Sequence, residues 1–288
     1  MNQVDAELRR FFARRIVRST VLIAILIAAV SIGIVTVRGH PARSGNFGRA
    51  TTVTDRSGRP FVANLPTNVR DTRIDVGRSL HSTLEGVAVA MLFVGIVLGA
   101  SFIGAEFFLG SLTSQLLYEP RRWRLHLAKA VAVAIGTAIV TAIICIGIGA
   151  LMYGGSVLHG VVRDIDTTWW RHRAVDLSRT VAAASAAAVL AYSFTIFVRR
   201  TTATIVLFLA QFPLIGIVRP ERPVFGALSR YAPIRGLVAI TSDPRAHRGD
   251  DMFVSPLRTN GGVIVFLLVW VIVLVTLTGV SFSRSEVR

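Results

Sequence analysis

Few side chains in this chain are capable of chemistry, and their spacing excludes most schemes. Six histidines (His40, His81, His126, His159, His172 and His247) and one cysteine, Cys145, are the obvious metal ligands and nucleophiles. A lone cysteine makes neither an internal disulfide nor a thiolate cluster. Inside a long apolar run it reads as a small buried hydrophobe. The histidines lack the short spacings of a metal site, so no metal is expected. No HExxH, CxxC or G-x-S-x-G pattern occurs. Lys129 is the only lysine among 32 basic residues, and it follows Ala128. A P-loop needs glycine before its lysine, so the chain has no P-loop ATPase site and no catalytic constellation of its own.

Polar residues are organised in one place, residues 104–130, GAEFFLGSLTSQLLYEPRRWRLHLAKA. Phe108, Leu112 and Leu116 recur every four residues with Leu117 beside them, while Glu106, Gly110 and Ser114 share another face. That pattern predicts an amphipathic helix of about three turns over 105–119. Pro120 ends it, because the residue before proline avoids the helical region. Arg121, Arg122, Trp123 and Arg124 then mark a membrane interface. A short helix clamped between two spans can pass a push from a soluble partner to both. A plain amphipathic connector has the same pattern.

The elements that position this segment are apolar runs. The chain has 288 residues, 52% of them hydrophobic, with a mean hydropathy of +0.60. Runs of roughly 18 or more apolar residues cover the hydrocarbon core as helices. The runs are solid rather than alternating, which favours helices over a barrel. Six are present: Thr20–Val37, Leu84–Ile103, Leu127–Met152, Val181–Val198, Thr201–Val218 and Gly261–Phe282. The expected fold is an all-α integral membrane protein with six transmembrane helices. Its parts are an N-terminal amphipathic segment (1–19), a six-helix domain (20–282) and a tail (283–288). The fourth run is the weakest, because Ala182–Ala184 and Ala186–Ala188 are barely apolar. The first reads as a retained span, since it outlasts a signal-peptide core and no small-residue cleavage site follows it.

Net charge is +16 and the pI about 11.6. The arginines are spread over every loop, which fits membrane topology better than a nucleic-acid stripe. A raw basic count favours the wrong side. Weighting short loops and span ends orients both termini inward, on the cytoplasmic side of the plasma membrane. Val4, Leu8, Phe11 and Phe12 fall at helical spacing among Arg9, Arg10, Arg14 and Arg15. They predict a short helix on an anionic leaflet, or simply a basic topogenic tail. The opposite side receives three loops. In 39–82, Thr51–Thr54 and Pro60–Asn64 form a weak hairpin signal. Trp169 and Trp170 in 154–180 suit an interfacial belt. In 219–260 an apolar stretch too broken to span reads as a re-entrant or interface-lying helical pair, broken near Pro233.

Glu85, Glu106, Lys129 and Asp176 fall at or near span ends, so no midplane charge offers ion coupling. Among milder polar groups, Gln211 and Ser101 are the candidate pathway residues. Gly95 and Gly99 form GxxxG, a helix-contact or dimerisation motif. Pro213 is expected to kink the fifth span.

The order Glu106, Gly110-Ser111, Leu116-Leu117, Pro120, Arg122, Lys129 resembles the permease subunits of ABC-2 type transporters, especially those of high-GC actinobacteria. The tight Phe197–Ala203 turn and the SRSEVR tail are similar to that family's. The tail has Ser and Glu where the family has Arg and Asp. The resemblance implies an exporter. A separate P-loop subunit would bind and hydrolyse ATP with Mg, so this chain would need no cofactor. Glu106, Gly110, Ser111, Leu116, Pro120, Arg122 and Lys129 would belong to the coupling segment. A second permease subunit, in a homo- or heterodimer, would complete the pathway. Re-entrant helices would lie in 219–260, and the N-terminal helix would be a second contact. The alternative is a non-transporting accessory or assembly subunit of a larger membrane complex.

Overall fold

The computed structural model describes residues 3–38, 51–54, 60–63, 76–110, 122–159, 165–217, 233–241 and 260–284. Among the described residues, eight helices and one hairpin occur in this order: α1 (Gln3–Ala13), α2 (Arg15–Arg38), β1 (Thr51–Thr54), β2 (Pro60–Ala63), α3 (Val76–Leu109), α4 (Arg122–His159), α5 (Thr167–Val198), α6 (Thr201–Ile217), α7 (Pro233–Thr241) and α8 (Asn260–Arg284). Among the described residues five helices, α2, α3, α4, α5 and α8, are long and apolar enough to cross a membrane. The sixth expected span, α6, is a shorter apolar helix of 17 residues. The expected hairpin is present, β1 pairing antiparallel with β2 from Thr51↔Ala63 to Thr54↔Pro60. Pro60 opens its strand, where its missing N–H costs least.

α5 is the centre. It packs against α3, α4, α6, α7 and α8, and its contact with α3 is the most extensive in the chain. The physical reason is its alanine run. Ala183, Ala184, Ala187, Ala188 and Ala191 are all buried. In lipid there is no hydrophobic gain from helix association, so small residues that let backbones approach decide it. A Cβ at Gly95 would strike the carbonyl of Ala184, and one at Gly99 the carbonyl of Ala188. The GxxxG motif is therefore used inside the chain, between α3 and α5, and not to join two copies. The run with the weakest hydropathy is the most enclosed helix for the same reason.

Two cores flank the α3–α5 pair. One joins Phe11, Met91, Phe102, Val133, Ile144 and Tyr192 from α1, α3, α4 and α5, with Ala24 and Ala28 of α2 packed at its edge. The other joins Leu92, Ile96, Leu190, Phe208, Leu237 and Leu267 from α3, α5, α6, α7 and α8. α2 is mostly exposed, with Leu22 at 69% and Leu26 at 64%, a surface suited to lipid. Asp166 caps α5 by accepting the Trp169 N–H at 2.7 Å. Arg199, at φ 53°, closes its other end with an N–H to Thr195 O at 2.8 Å. Only Arg199 and Arg200 separate α5 from α6, the tight turn expected there.

Because the α3–α5 contact leaves no room for a side chain, Gly99→Val is expected to destabilise the protein by about 1–3 kcal/mol through overpacking. Gly149, whose Cβ would meet open space, is expected to tolerate alanine with no loss. Thermal unfolding in detergent, followed by tryptophan fluorescence, checks both.

Candidate functional site

α1 carries Asp5 in its first turn, where the helix dipole favours a carboxylate. The exposed Asp5–Arg9 pair at 3.3 Å adds little. Glu7 and Phe11, one turn apart, are the buried residues of this helix. They face the bundle. Phe11 sits over Gly136 of α4, where a Cβ would meet its ring at 2.5 Å. Its ring centroid lies 5.7 Å from that of Phe102 on α3. The amphipathic N-terminal segment is thus helical, but its inner face covers α4 and α3 instead of resting on lipid.

Glu7 meets Lys129 and Glu106 inside. Lys129 Nζ donates to Glu7 Oε2 at 3.0 Å and to Glu106 Oε1 at 2.9 Å, and stands 2.9 Å from Glu106 Oε2. The Lys129 side chain is 1% exposed and both carboxylates 5% or less. Arg10 Nη1 donates to the free oxygen of Glu7 at 2.9 Å. Arg14, in the break between α1 and α2, places Nη2 3.5 Å from Glu106 Oε1 and donates from Nη1 to Ser101 O at 2.9 Å. Its guanidinium lies 4.3 Å from the Phe102 ring centroid, a cation–π distance. Burial draws the Arg14 guanidinium below its ordinary pKa, and Glu106 and then Glu7 pull it back up. Two carboxylates and three cations therefore form one network across α1, α3 and α4, with an excess of one positive charge. Lys129 lies seven residues into a 38-residue helix. That helix is about 57 Å long against a hydrocarbon core of about 30 Å, so the network sits toward one end of the span and not at its middle.

One turn earlier on α4, His126 is also buried. Its Nε2 is 3.2 Å from Val275 O and 3.2 Å from Thr278 Oγ1 of α8. Its Nδ1 is 3.1 Å from the Tyr192 hydroxyl of α5. A carbonyl only accepts, which assigns the proton to Nε2 and leaves Nδ1 to accept from Tyr192. Trp123 adds a packing contact, its ring lying against Gly279 of α8. The first turns of α4 are thereby tied to α1 and α3 by Lys129 and to α5 and α8 by His126.

The structure brings Glu106 and Lys129 together as a direct pair. Both are internal and neither offers its charge to a partner's surface. Arg122 is the first residue of α4. The helix expected over 105–119 does not run unbroken through its first turns, and its residues 111–119 lie outside the described residues. Glu106 belongs to the last turn of α3, which stops at Leu109, and Gly110 turns away at φ 64°. A left-handed residue cannot continue a right-handed helix, and glycine adopts it without steric cost. Ser111, Leu116 and Pro120 lie outside the described residues. Ser101 bonds its hydroxyl to Leu98 O of its own helix at 3.1 Å. Gln211 is half-buried on α6, and its Oε1 is buried without a hydrogen-bond partner among the described residues. Thr201 abuts Gly104. From that level Gln211 is about 10 Å further along the helices than Ser101, so the two candidate pathway residues do not meet. Among the described residues no three His, Cys, Asp or Glu side chains converge on a metal position.

Sequence reasoning missed Glu7, Arg14, His126, Tyr192 and Thr278. Lys129 and Glu7 are 122 residues apart, and His126 and Thr278 are 152 apart. The usable signal was the rarity of the lone lysine. Compared with models of known protein families, the chain matches none. Compared with curated proteins, it again finds no match.

Removing one partner from a buried ion pair strands the other charge, at about 3–5 kcal/mol. Lys129→Met is therefore expected to release α1 and expose Arg9 and Arg10 to trypsin in detergent. The triple variant Glu7→Gln, Glu106→Gln, Lys129→Met, which strands no fully buried charge and leaves only Arg10 and Arg14 at the edge of the network without a carboxylate, is expected to recover part of the protection. Equal protection in Lys129→Met and wild type would show that α1 is held by Phe11 packing alone.

Proposed function

We propose that this chain is the membrane-spanning permease subunit of an ATP-driven exporter of the ABC-2 type. ATP and Mg are bound by a separate P-loop subunit on the side that carries the 104–126 loop. In this reading α6 is the sixth span and both termini are cytoplasmic. A second permease subunit completes the pathway in the plasma membrane. α7 is one arm of the re-entrant pair, supported by the burial of Leu237 among Leu92, Ile96 and Leu267. The other arm lies outside the described residues.

One observation carries the reading. The two ends of the loop expected to receive the ATPase are joined by the Glu106–Lys129 pair, which also captures α1 through Glu7. A soluble partner pressing on residues 111–121 would load three helices at once. The bonds of His126 to α5 and α8 extend that load to the rest of the bundle. The sequence supports the same reading, having neither an ATP site in cis nor a midplane charge for ion coupling.

A tagged chain is expected to co-purify with a P-loop ATPase that has no membrane spans. In the reconstituted complex, Gly110→Leu forces a side chain into the left-handed turn, at roughly 1–2 kcal/mol. It and Glu106→Gln are expected to lower cargo-stimulated ATPase activity while assembly persists. Gln211→Leu is expected to alter cargo stimulation without changing basal hydrolysis. A complex with no ATPase would favour an accessory role. A complex in which Gly110→Leu and Glu106→Gln both leave coupling unchanged would remove the loop from the mechanism.

A further inference from the structure

We propose that the outer face of the α1–α2 junction binds one glycerophospholipid of net negative charge, its phosphate on Arg15 and Arg18 and an acyl chain along Leu22 and Leu26. These four residues fall at i, i+3, i+7 and i+11, so they form one stripe along the first half of α2. All four are exposed. The stripe is about 16 Å long, close to half of a hydrocarbon core of about 30 Å. Two guanidiniums followed by one leaflet's depth of leucine match a phospholipid, headgroup first and chain after. A soluble acidic protein or a nucleic acid has no use for the leucines.

The charge at this junction is not balanced within the described residues. Arg15 has no carboxylate partner among them, and Arg18 donates from Nε to the Phe12 carbonyl at 3.3 Å. Apart from the exposed Asp5–Arg9 pair, the junction holds Arg10, Arg14, Arg15, Arg18 and Lys129 against Glu7 and Glu106. That is an excess of three positive charges among the described residues. The hydroxyls of Ser19 and Thr20 bond back to Arg15 O and Ile16 O at 2.9 and 2.7 Å, which leaves the guanidiniums as the donors for a ligand. Arg173 of α5 differs, since its Nη1 is 3.0 Å from Asp176 Oδ2. Cations at i and i+3 are neighbours on a helix and can share one phosphate. A headgroup with no cation of its own leaves the phosphate charge to the arginines, which favours a glycerol over a choline head. The apolar face of α1 is taken by α3 and α4, so contact with an anionic leaflet falls to the start of α2.

The inference stands apart from the transport reading, since lipid retention is measured without an ATPase. The full chain in detergent at low salt is incubated with equal amounts of dioleoyl phosphatidylglycerol and dioleoyl phosphatidylcholine, and bound lipid is counted by native mass spectrometry. Wild type is expected to retain the glycerol lipid about tenfold over the choline lipid, within the reach of two arginines at an anionic surface. Arg15→Gln with Arg18→Gln is expected to abolish that preference with unaltered thermal unfolding. Arg18→Gln alone, expected to weaken it severalfold, keeps the site testable if the double variant does not fold. Arg171→Gln, which removes an exposed arginine of α5, is expected to change nothing. Excess glycerol 3-phosphate is expected not to displace the lipid, because it brings no chain to Leu22 and Leu26. Equal retention of both lipids by wild type would overturn the proposal and leave the stripe to an acidic soluble partner. An unchanged preference in the arginine variants, a loss in Arg171→Gln, or displacement by glycerol 3-phosphate would each overturn it as well.

Discussion

The assembly of this bundle depends on one buried ammonium. Lys129 cannot remain charged and unpaired among Phe102 and the walls of α3 and α4, because desolvating a lone charge is prohibitive. It needs Glu106 from α3 and Glu7 from α1 together. Each carboxylate in turn would be stranded without it. The N-terminal segment is consequently a structural member of the bundle and not a tail attached to it. Its location near one end of a long helix moderates the cost, since arginines on either side reach toward water.

A second constraint acts perpendicular to the first. Helices in lipid gain nothing by hiding apolar surface from apolar solvent, so their contacts must come from close approach and hydrogen bonds. The α3–α5 pair uses approach, with Gly95 and Gly99 set against Ala184 and Ala188. The start of α4 uses hydrogen bonds, with His126 reaching Tyr192 and α8. The central pair can therefore stay fixed while polar ties at one end of α4 hold the outer helices on.

Much of this architecture was legible in the sequence, and the failures have physical causes. Apolar runs located the long helices because length and hydropathy measure what the bilayer selects. The same measure undervalued α5, whose alanines are there for proximity and not for hydrophobicity. The turn at Arg199–Arg200 and the hairpin at Thr51–Thr54 were readable because their signals are local. The start of the helix expected over 105–119 was misplaced because periodicity ignores the backbone. The spacing of Phe108, Leu112 and Leu116 runs straight through Gly110, whose φ of 64° breaks the helix. The charged network was legible only in part. Glu106 and Lys129 stood out by position and rarity, but Glu7 looked like any acid in a basic tail. Nothing in a linear pattern announces a partner 122 residues away.

The charged network and the apolar cleft between Leu84, Cys145 and Leu177, toward opposite ends of the bundle, share walls, and this decides what can move. α3 and α5 form two sides of the cleft, and their glycine–alanine contact leaves no free volume for sliding. α4 forms the third side, and its start is held by Lys129 and His126. A displacement of residues 111–121 enters the bundle at Arg122 and reaches those two residues within about two turns of helix. If α4 tilts as a rigid rod about that anchor, even about 5° moves Cys145, about 24 Å away, by about 2 Å. The cleft between α4 and the fixed α3–α5 pair then widens or narrows, while the Arg173–Asp176 pair, on α5 alone, keeps its geometry. The ammonium that holds the bundle together is thus also the pivot about which α4 would turn.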